Sequence, residues 1–437
     1  MKKTLWILAC ALCSQFTFAQ APKWAEKARK AVFSIVTYDK DNNIKGTGNG
    51  FYIDNQGTAL SDYTLFEGAE RAIVINADGK QVEVEKMLGA NAMYDVVKFS
   101  TPIDKKQVVL NMASQRAKEG DAVYLLPYST QKSTNIQRGT IISVDSIGIY
   151  SSYYTLQMKT GEKMISCPVM NVNGEVVGMI QRNASEDSNE SYAIGGSYGA
   201  ALNISALSFN DGALNNIGIK KALPDTEEQA LIYLFMSSEK LDKENYLVVL
   251  SDFIHQYPNS HEGYIRRASL YMHGGDASQY PLADEDLKKA VEMATNKEEA
   301  KFQVAKTIYG YLISLNGKEG YAEWSLDRAL NILREAIQAN DQPIYHQLEG
   351  DILFAQGNYA ESYQSYDFVN KSSLSSSGTF YSAAKAKQFT EGSDINEVIA
   401  LMDSAIARLN KPYLSDVAPY FFERAELHVQ AKKFRNA

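Results

Sequence analysis

The chain has 437 residues, 45% apolar and 11% aromatic, which excludes a disordered polymer and exceeds what one hydrophobic core ordinarily supports. A formal charge of -8 argues against a nucleic-acid surface, because holding phosphates takes clustered Lys and Arg. Two or more domains are expected.

The N-terminus reads Met1-Lys2-Lys3, then an apolar run from Leu5 to Leu12, then Thr17-Phe18-Ala19 before Gln20. A basic start, a short apolar stretch and a small residue at the cut predict a signal peptide over residues 1–19. The mature protein is then exported, to the periplasm or the cell envelope. Cys10 and Cys13 lie inside that segment, so Cys167 is left alone and no internal disulfide can form. Cys10, behind Ile7-Leu8-Ala9, is an alternative lipid attachment point. No later stretch approaches the roughly 18 consecutive apolar residues of a membrane span.

From about Ala31 to Leu207, short β-rich runs alternate with turn residues: Val32 to Val36 before Asp41-Asn42-Asn43, Ile73 to Ile75 before Asp78-Gly79, and Val169 to Val172 before Asn173-Gly174. Asn-Gly and Asp-Gly supply the positive φ of tight hairpins, and many short strands at this spacing predict a sandwich or barrel. Gly46, Gly48 and Gly50 read as a bend between strands, and Asn183 to Ser191 as an exposed polar loop.

Gly46-Thr47-Gly48-Asn49-Gly50-Phe51-Tyr52-Ile53-Asp54, followed by Gly57 to Ala69, is similar to the opening of the HtrA/Deg group of trypsin-like serine proteases. Tyr94-Asp95-Val96-Val97, Glu119-Gly120-Asp121, Gly139 to Val144, and Pro168 with Asn173 to Gly178 match later landmarks of that group in order. The resemblance covers about 170 residues and implies an all-β trypsin-like double β-barrel over residues 20–207, with two six-stranded barrels at about 31–111 and 120–207.

The resemblance also shows what is missing. The family's histidine position is Thr64, its acid is retained as Asp95, and its Gly-Asn-Ser-Gly-Gly-Pro nucleophile loop has become Lys163-Met164-Ile165-Ser166-Cys167-Pro168. The nucleophile position is Ile165 without a gap, or Ser166 with one residue deleted. All five histidines, His255, His261, His273, His346 and His428, lie beyond this region, so no imidazole is at hand to take a hydroxyl proton. Loss of the loop glycines removes the freedom that aims backbone N–H groups at an oxyanion. These positions imply a catalytically inactive, pseudoprotease domain. The rival reading is a serine-type endopeptidase in which Lys163 activates Ser166 or Cys167. Asp95, with no imidazole to orient, is expected to bond a hydroxyl such as Thr64 or to cap a turn.

Residues 208–225, with Asp211-Gly212 and Leu223-Pro224, read as a linker. From Thr226 to Ala437 the apolar period becomes that of helices. The run Gly350 to Ser362 places a small residue, a turn and a second small residue at the intervals of a helix hairpin, and resembles the tetratricopeptide repeat. A small-large-small signature recurs as Ala283, Leu287 and Ala290; Ala329, Leu333 and Ala336; Ser362, Tyr366 and Val369; and Val398, Met402 and Ala405, at spacings of 46, 33 and 36 residues. With the helix from Tyr246 to Tyr257 this makes about five pairs, an all-α solenoid over residues 226–437. The last repeat is incomplete at Lys433 to Ala437, so either the array is capped in another way or the sequence is a fragment of a longer chain.

The resemblance to such arrays implies a groove lined by the first helix of each pair. It selects Glu262, Ile265 and Ser269 around Ala268, and Gln347, Asp351 and Phe354 around Gly350, as exposed positions for a protein or peptide partner. A further expectation is that the former substrate cleft of the barrel takes a polypeptide by strand addition. No His/Cys cluster has metal-ligand spacing and no loop has the pattern of a phosphate cradle, so no metal or cofactor is expected.

Overall fold

A computed structural model of the chain describes residues 22–131, 136–148, 151–183 and 188–437. The predicted signal segment and both N-terminal cysteines lie outside the described residues. The chain divides into two compact units, one ending at Met236 and one running from Ser237 to Ala437.

In the first unit, α1 (Ala25–Ala28) leads into a seven-stranded antiparallel sheet. Its strands are β1 (Val32–Tyr38), β2 (Ile44–Tyr52), β3 (Thr58–Ser61), β4 (Arg71–Ile75), β5 (Gln81–Glu83), β6 (Lys86–Asn91) and β7 (Val96–Ser100), in the order β5-β4-β1-β2-β3-β7-β6. One-turn helix α2 (Tyr63–Phe66) follows β3. The second sheet is a closed six-stranded barrel of β8 (Ala122–Leu125), β9 (Gln137–Ile147), β10 (Ser151–Gln157), β11 (Pro168–Met170), β12 (Val176–Ile180) and β13 (Glu190–Gly195). The double β-fold follows the sequence reading, with one correction. The first sheet has seven strands rather than six and runs from β5 at one edge to β6 at the other instead of closing into a barrel; the Asp78-Gly79 turn hooks the short β5 back onto β4 as the added edge strand. Gly79 and Gly174, with φ of 78° and 80°, sit where the hairpin reading put positive φ.

Two further expectations are corrected. The glycines of residues 46–50 do not bend the chain but lie within β2: a Cβ at Gly48 would stand 2.7 Å from Leu65 Cδ2, and one at Gly50 would stand 2.6 Å from the Phe33 ring. The polar stretch after Asn183 is not loop throughout, since Glu190 and Ser191 begin β13 and the Ser191 hydroxyl is buried against Thr160 at 2.9 Å. The two sheets share a core of Val32, Phe51, Leu60 and Val96 from one and Leu126, Met170, Met179 and Ile194 from the other. At about 1.5–3 kcal/mol for each fully buried large side chain, this seam holds the sheets face to face.

After β13 come α3 (Gly196–Ala201) and α4 (Gly212–Asn215). Residues 208–225, expected as a linker, are folded onto the first sheet. Leu214, Ile217 and Ile219 are buried, and Gly68 N–H donates to Asn216 O at 2.6 Å. The boundary between units falls instead within α5 (Glu227–Ser238).

The second unit is helical throughout its regular structure. α6 (Lys243–Gln256) lies on α7 (His261–His273), which pairs with α8 (Tyr280–Met293). α9 (Lys297–Ser314) pairs with α10 (Leu326–Ala339), α11 (Pro343–Ala355) with α12 (Tyr359–Asn370), and α13 (Ser377–Phe389) with α14 (Ile395–Ala407); α15 (Ala418–Gln430) packs on α14. Side-chain caps from Asp242, Asn296, Ser325, Ser376 and Asp394 fix five of the starts, each stabilising its helix by about 1 kcal/mol. Every residue of the four small-large-small sets is buried. At Gly350 the reason for a small residue is direct: a Cβ there would stand 2.8 Å from the Tyr366 ring, and Ser362 Oγ donates to Gly350 O at 2.8 Å. No helix among the described residues is long and apolar enough to cross a membrane.

Candidate functional site

Where β3 ends, Asp62 accepts a hydrogen bond from Leu65 N–H at 3.1 Å and so caps α2, which carries Thr64. Asp95, in the turn before β7 with φ of 46°, accepts from both the backbone N–H (2.7 Å) and the hydroxyl (2.9 Å) of Thr64. Thr64 and Asp95 are therefore brought together, and one oxygen of the acid, Oδ1, takes both threonine donors.

Facing them is the loop from Gly161 to Cys167, a 3-10 turn at Glu162–Met164 followed by Ile165 and Ser166. Ser166 is wholly buried, has φ of 64°, and donates from Oγ to Asp62 Oδ1 at 2.6 Å. Of the two candidate nucleophile positions, Ser166 carries the hydroxyl that meets an acid, whereas Ile165 lines the cleft with an alkyl chain. Successive N–H groups of the loop are committed to backbone carbonyls: Met164 to Gly161, Ile165 to Glu162, Ser166 to Ile180 and Cys167 to Met164, at 2.9, 3.2, 2.9 and 3.1 Å. Asn49 of β2 donates from Nδ2 to the carbonyls of Lys163 (3.0 Å) and Ile165 (2.9 Å). The loop is thus stapled to the first sheet at Asn49 and Asp62, and the N–H groups of residues 164–167 are not available to an oxyanion.

Asp62 is the residue that sequence reasoning missed. It is 4% exposed, and burial pushes its carboxyl above the usual range; the Ser166 hydrogen bond pulls it back and the charge of Asp95 adds to the rise. Locally it reads only as a helix cap, and its decisive partner is 104 residues away. Lys163 is exposed, and burial pushes the Cys167 thiol up to about 12, so neither a desolvated base nor a ready thiolate stands in this loop. Between the sheets a cleft of about 270 Å³ is lined by Lys45, Thr47, Gly48, Asp62, Ile165 and Arg182, among others.

The helical positions chosen as groove residues lie on α7 and α11. Glu262 is paired with Arg266 at 3.1 Å, Ile265 packs against the core, and Phe354 sits among Tyr359 and Phe389 at ring distances of 5.2 and 5.9 Å. Asp351 accepts from Tyr366 OH at 2.6 Å, and burial raises its carboxyl against that bond. All four are half-buried and have partners within the helical unit: for Glu262 an arginine one turn on in the same helix, for the other three residues packed between helices. Ser269 and Gln347 are half-buried, and Ser269 lines a cavity of about 360 Å³ with Tyr246, Arg266 and His273.

The profile of the trypsin-like peptidase domain matches residues 48–179. No curated protein matches the chain. Among solved structures, the Rv3671c protease from M. tuberculosis in its active form is similar at 18% identity, over 44% of this chain and 83% of that one, with a TM-score of 0.35. The serine endoprotease from Yersinia pestis is similar at 18% identity, over 40% of this chain and 62% of that one, also with a TM-score of 0.35. The first unit therefore carries a trypsin-like peptidase domain, and the same chain continues into an all-helical region.

Proposed function

We propose that this is an exported protein-binding or scaffold protein, in which a trypsin-like domain serves without hydrolysis and a tetratricopeptide-like array of helix pairs takes a protein or peptide partner. The observation that carries the reading is Thr64, hydrogen-bonded to Asp95 at the position where the resemblance calls for an imidazole. Acyl transfer needs a group that accepts the hydroxyl proton and returns it to the leaving amine, and losing one member of such a set removes most of the rate. The commitment of the loop N–H groups removes the second large contribution, since one lost oxyanion donor costs roughly 10²–10³ in rate. Export rests on the N-terminal sequence, and partner binding on the repeated helix pairs.

Casein and peptide substrates are expected to be cleaved no faster than in a buffer blank. Cleavage that is lost in Ser166→Ala would replace this reading by that of an atypical serine peptidase. For the array, Ser269→Glu combined with Gln347→Glu in the full chain is expected to weaken capture of envelope proteins and leave the melting temperature unchanged. Capture unaffected by the pair would remove these positions from the binding surface.

A further inference from the structure

α8 and α10 are the second helices of consecutive pairs, and their small-large-small sets lie 46 residues apart where the following ones lie 33 and 36 apart. Both lean on α9, and charged contacts bridge the space between them. Asp284 of α8 accepts from Arg328 Nη1 of α10 at 2.7 Å, from Lys288 Nζ at 2.8 Å and from the indole N–H of Trp324 at 3.1 Å, while Lys301 of α9 pairs with Glu335 of α10 at 2.9 Å. Beside these contacts lies a cavity of about 310 Å³ walled by Leu287, Val291, Val304 and Ile332. A protein interior is ordinarily filled by its own side chains, and an apolar hollow with a few placed charges is the form that small-molecule sites take.

The charges around this cavity are unequally covered. The side chains of Lys301 and Arg328 are 25% and 24% exposed and that of Asp284 is 7% exposed, whereas Lys288, Glu292 and Glu335 stand in solvent, where water and ions screen them. The covered groups are thus two cations against one acid, and the acid is spent on its three donors. Arg328 gives Nη1 to Asp284 and, at 3.0 Å, to the Glu323 carbonyl, so its Nε and Nη2 hydrogens have no partner among the described residues. That edge of a guanidinium matches both oxygens of a carboxylate.

We propose that this cavity binds a free medium-chain alkyl carboxylate, its chain against Leu287, Val291, Val304 and Ile332 and its carboxylate on the Nε–Nη2 edge of Arg328, with the Lys301 ammonium as the second covered cation. The site lies on the second helices of two pairs, apart from the positions proposed for a protein partner, so either reading can fail without the other.

The test is titration calorimetry of the full chain with hexanoate, octanoate and octan-1-ol, each below the concentration at which it aggregates. Octanoate is expected to bind at a single saturable site, about tenfold more tightly than octan-1-ol, which lacks the charge, and about tenfold more tightly than hexanoate, which buries a shorter chain. Arg328→Gln should bring octanoate down to the affinity of octan-1-ol. That substitution also takes a partner from Asp284, so a second variant leaves every ion pair in place: Val291→Trp, which fills the cavity, should abolish binding of both ligands while the protein still melts cooperatively. No saturable site, equal affinity for octanoate and octan-1-ol, octanoate affinity retained in Arg328→Gln, or binding unchanged in Val291→Trp would overturn the proposal. Co-sedimentation of the chain with phosphatidylglycerol vesicles that octanoate reverses would assign the cavity to a membrane lipid and overturn the free carboxylate.

Discussion

At Ser166 and Asp62 a hydroxyl and a buried acid satisfy each other across the two sheets, and the cost of separating them is structural. Removing the hydroxyl leaves a buried carboxylate short of a donor, so Ser166→Ala should destabilise the fold by about 1–3 kcal/mol in denaturant titration. Lys163→Ala, at an exposed side chain of the same loop, should stay within about 0.5 kcal/mol. The acid also has a pH signature. Its folded pKa is raised, so its contribution to stability is full below the unfolded value near 3.9 and is lost as pH rises through the folded value. Relative to Asp62→Asn, the parent should therefore lose stability as pH is raised from about 3 to about 7; a difference that grows in the parent's favour over that range would refute the assignment. The sequence made the Thr64–Asp95 bond legible, because the two positions bear a known relation in the resembling family. It did not make Asp62 legible, since a cap and a buried acid look alike until the partner strand is in place.

At the scale of elements, helix pairs are read from where small residues recur, and the contacts explain why. Gly350 makes room for the Tyr366 ring between α11 and α12, so Gly350→Ala should destabilise by about 1–3 kcal/mol despite the roughly 1 kcal/mol that alanine gains over glycine in a helix. Thermal melting of the full chain checks this, and a stabilised variant would mean that the helices part without cost. What the pattern did not reveal is which polar positions are free. Asp351 and Phe354 fall on the face chosen for a groove, yet a tyrosine hydroxyl from α12 holds one, and the rings of Tyr359 and Phe389 enclose the other. Helical period fixes the face of a residue, while its partners come from the neighbouring helix. The glycines of β2 teach the same lesson, since their purpose is set by Leu65 and Phe33 rather than by a turn of their own.

In the whole molecule, the trypsin-like domain has kept the two-sheet frame and its shared core while the loop that would carry out acyl transfer is stitched to the first sheet by Asn49 and Asp62. The helical region follows in the same chain, and residues 208–225, ahead of it, are folded onto the first sheet. The central claim is that the domain binds without cutting. Intact-mass spectrometry after incubation of the full chain with a fluorophosphonate probe tests it most directly. No adduct is predicted on Ser166, because the hydroxyl is buried against Asp62 and the adjacent N–H groups are spent; a stoichiometric adduct on Ser166 that disappears in Asp62→Asn would contradict the account.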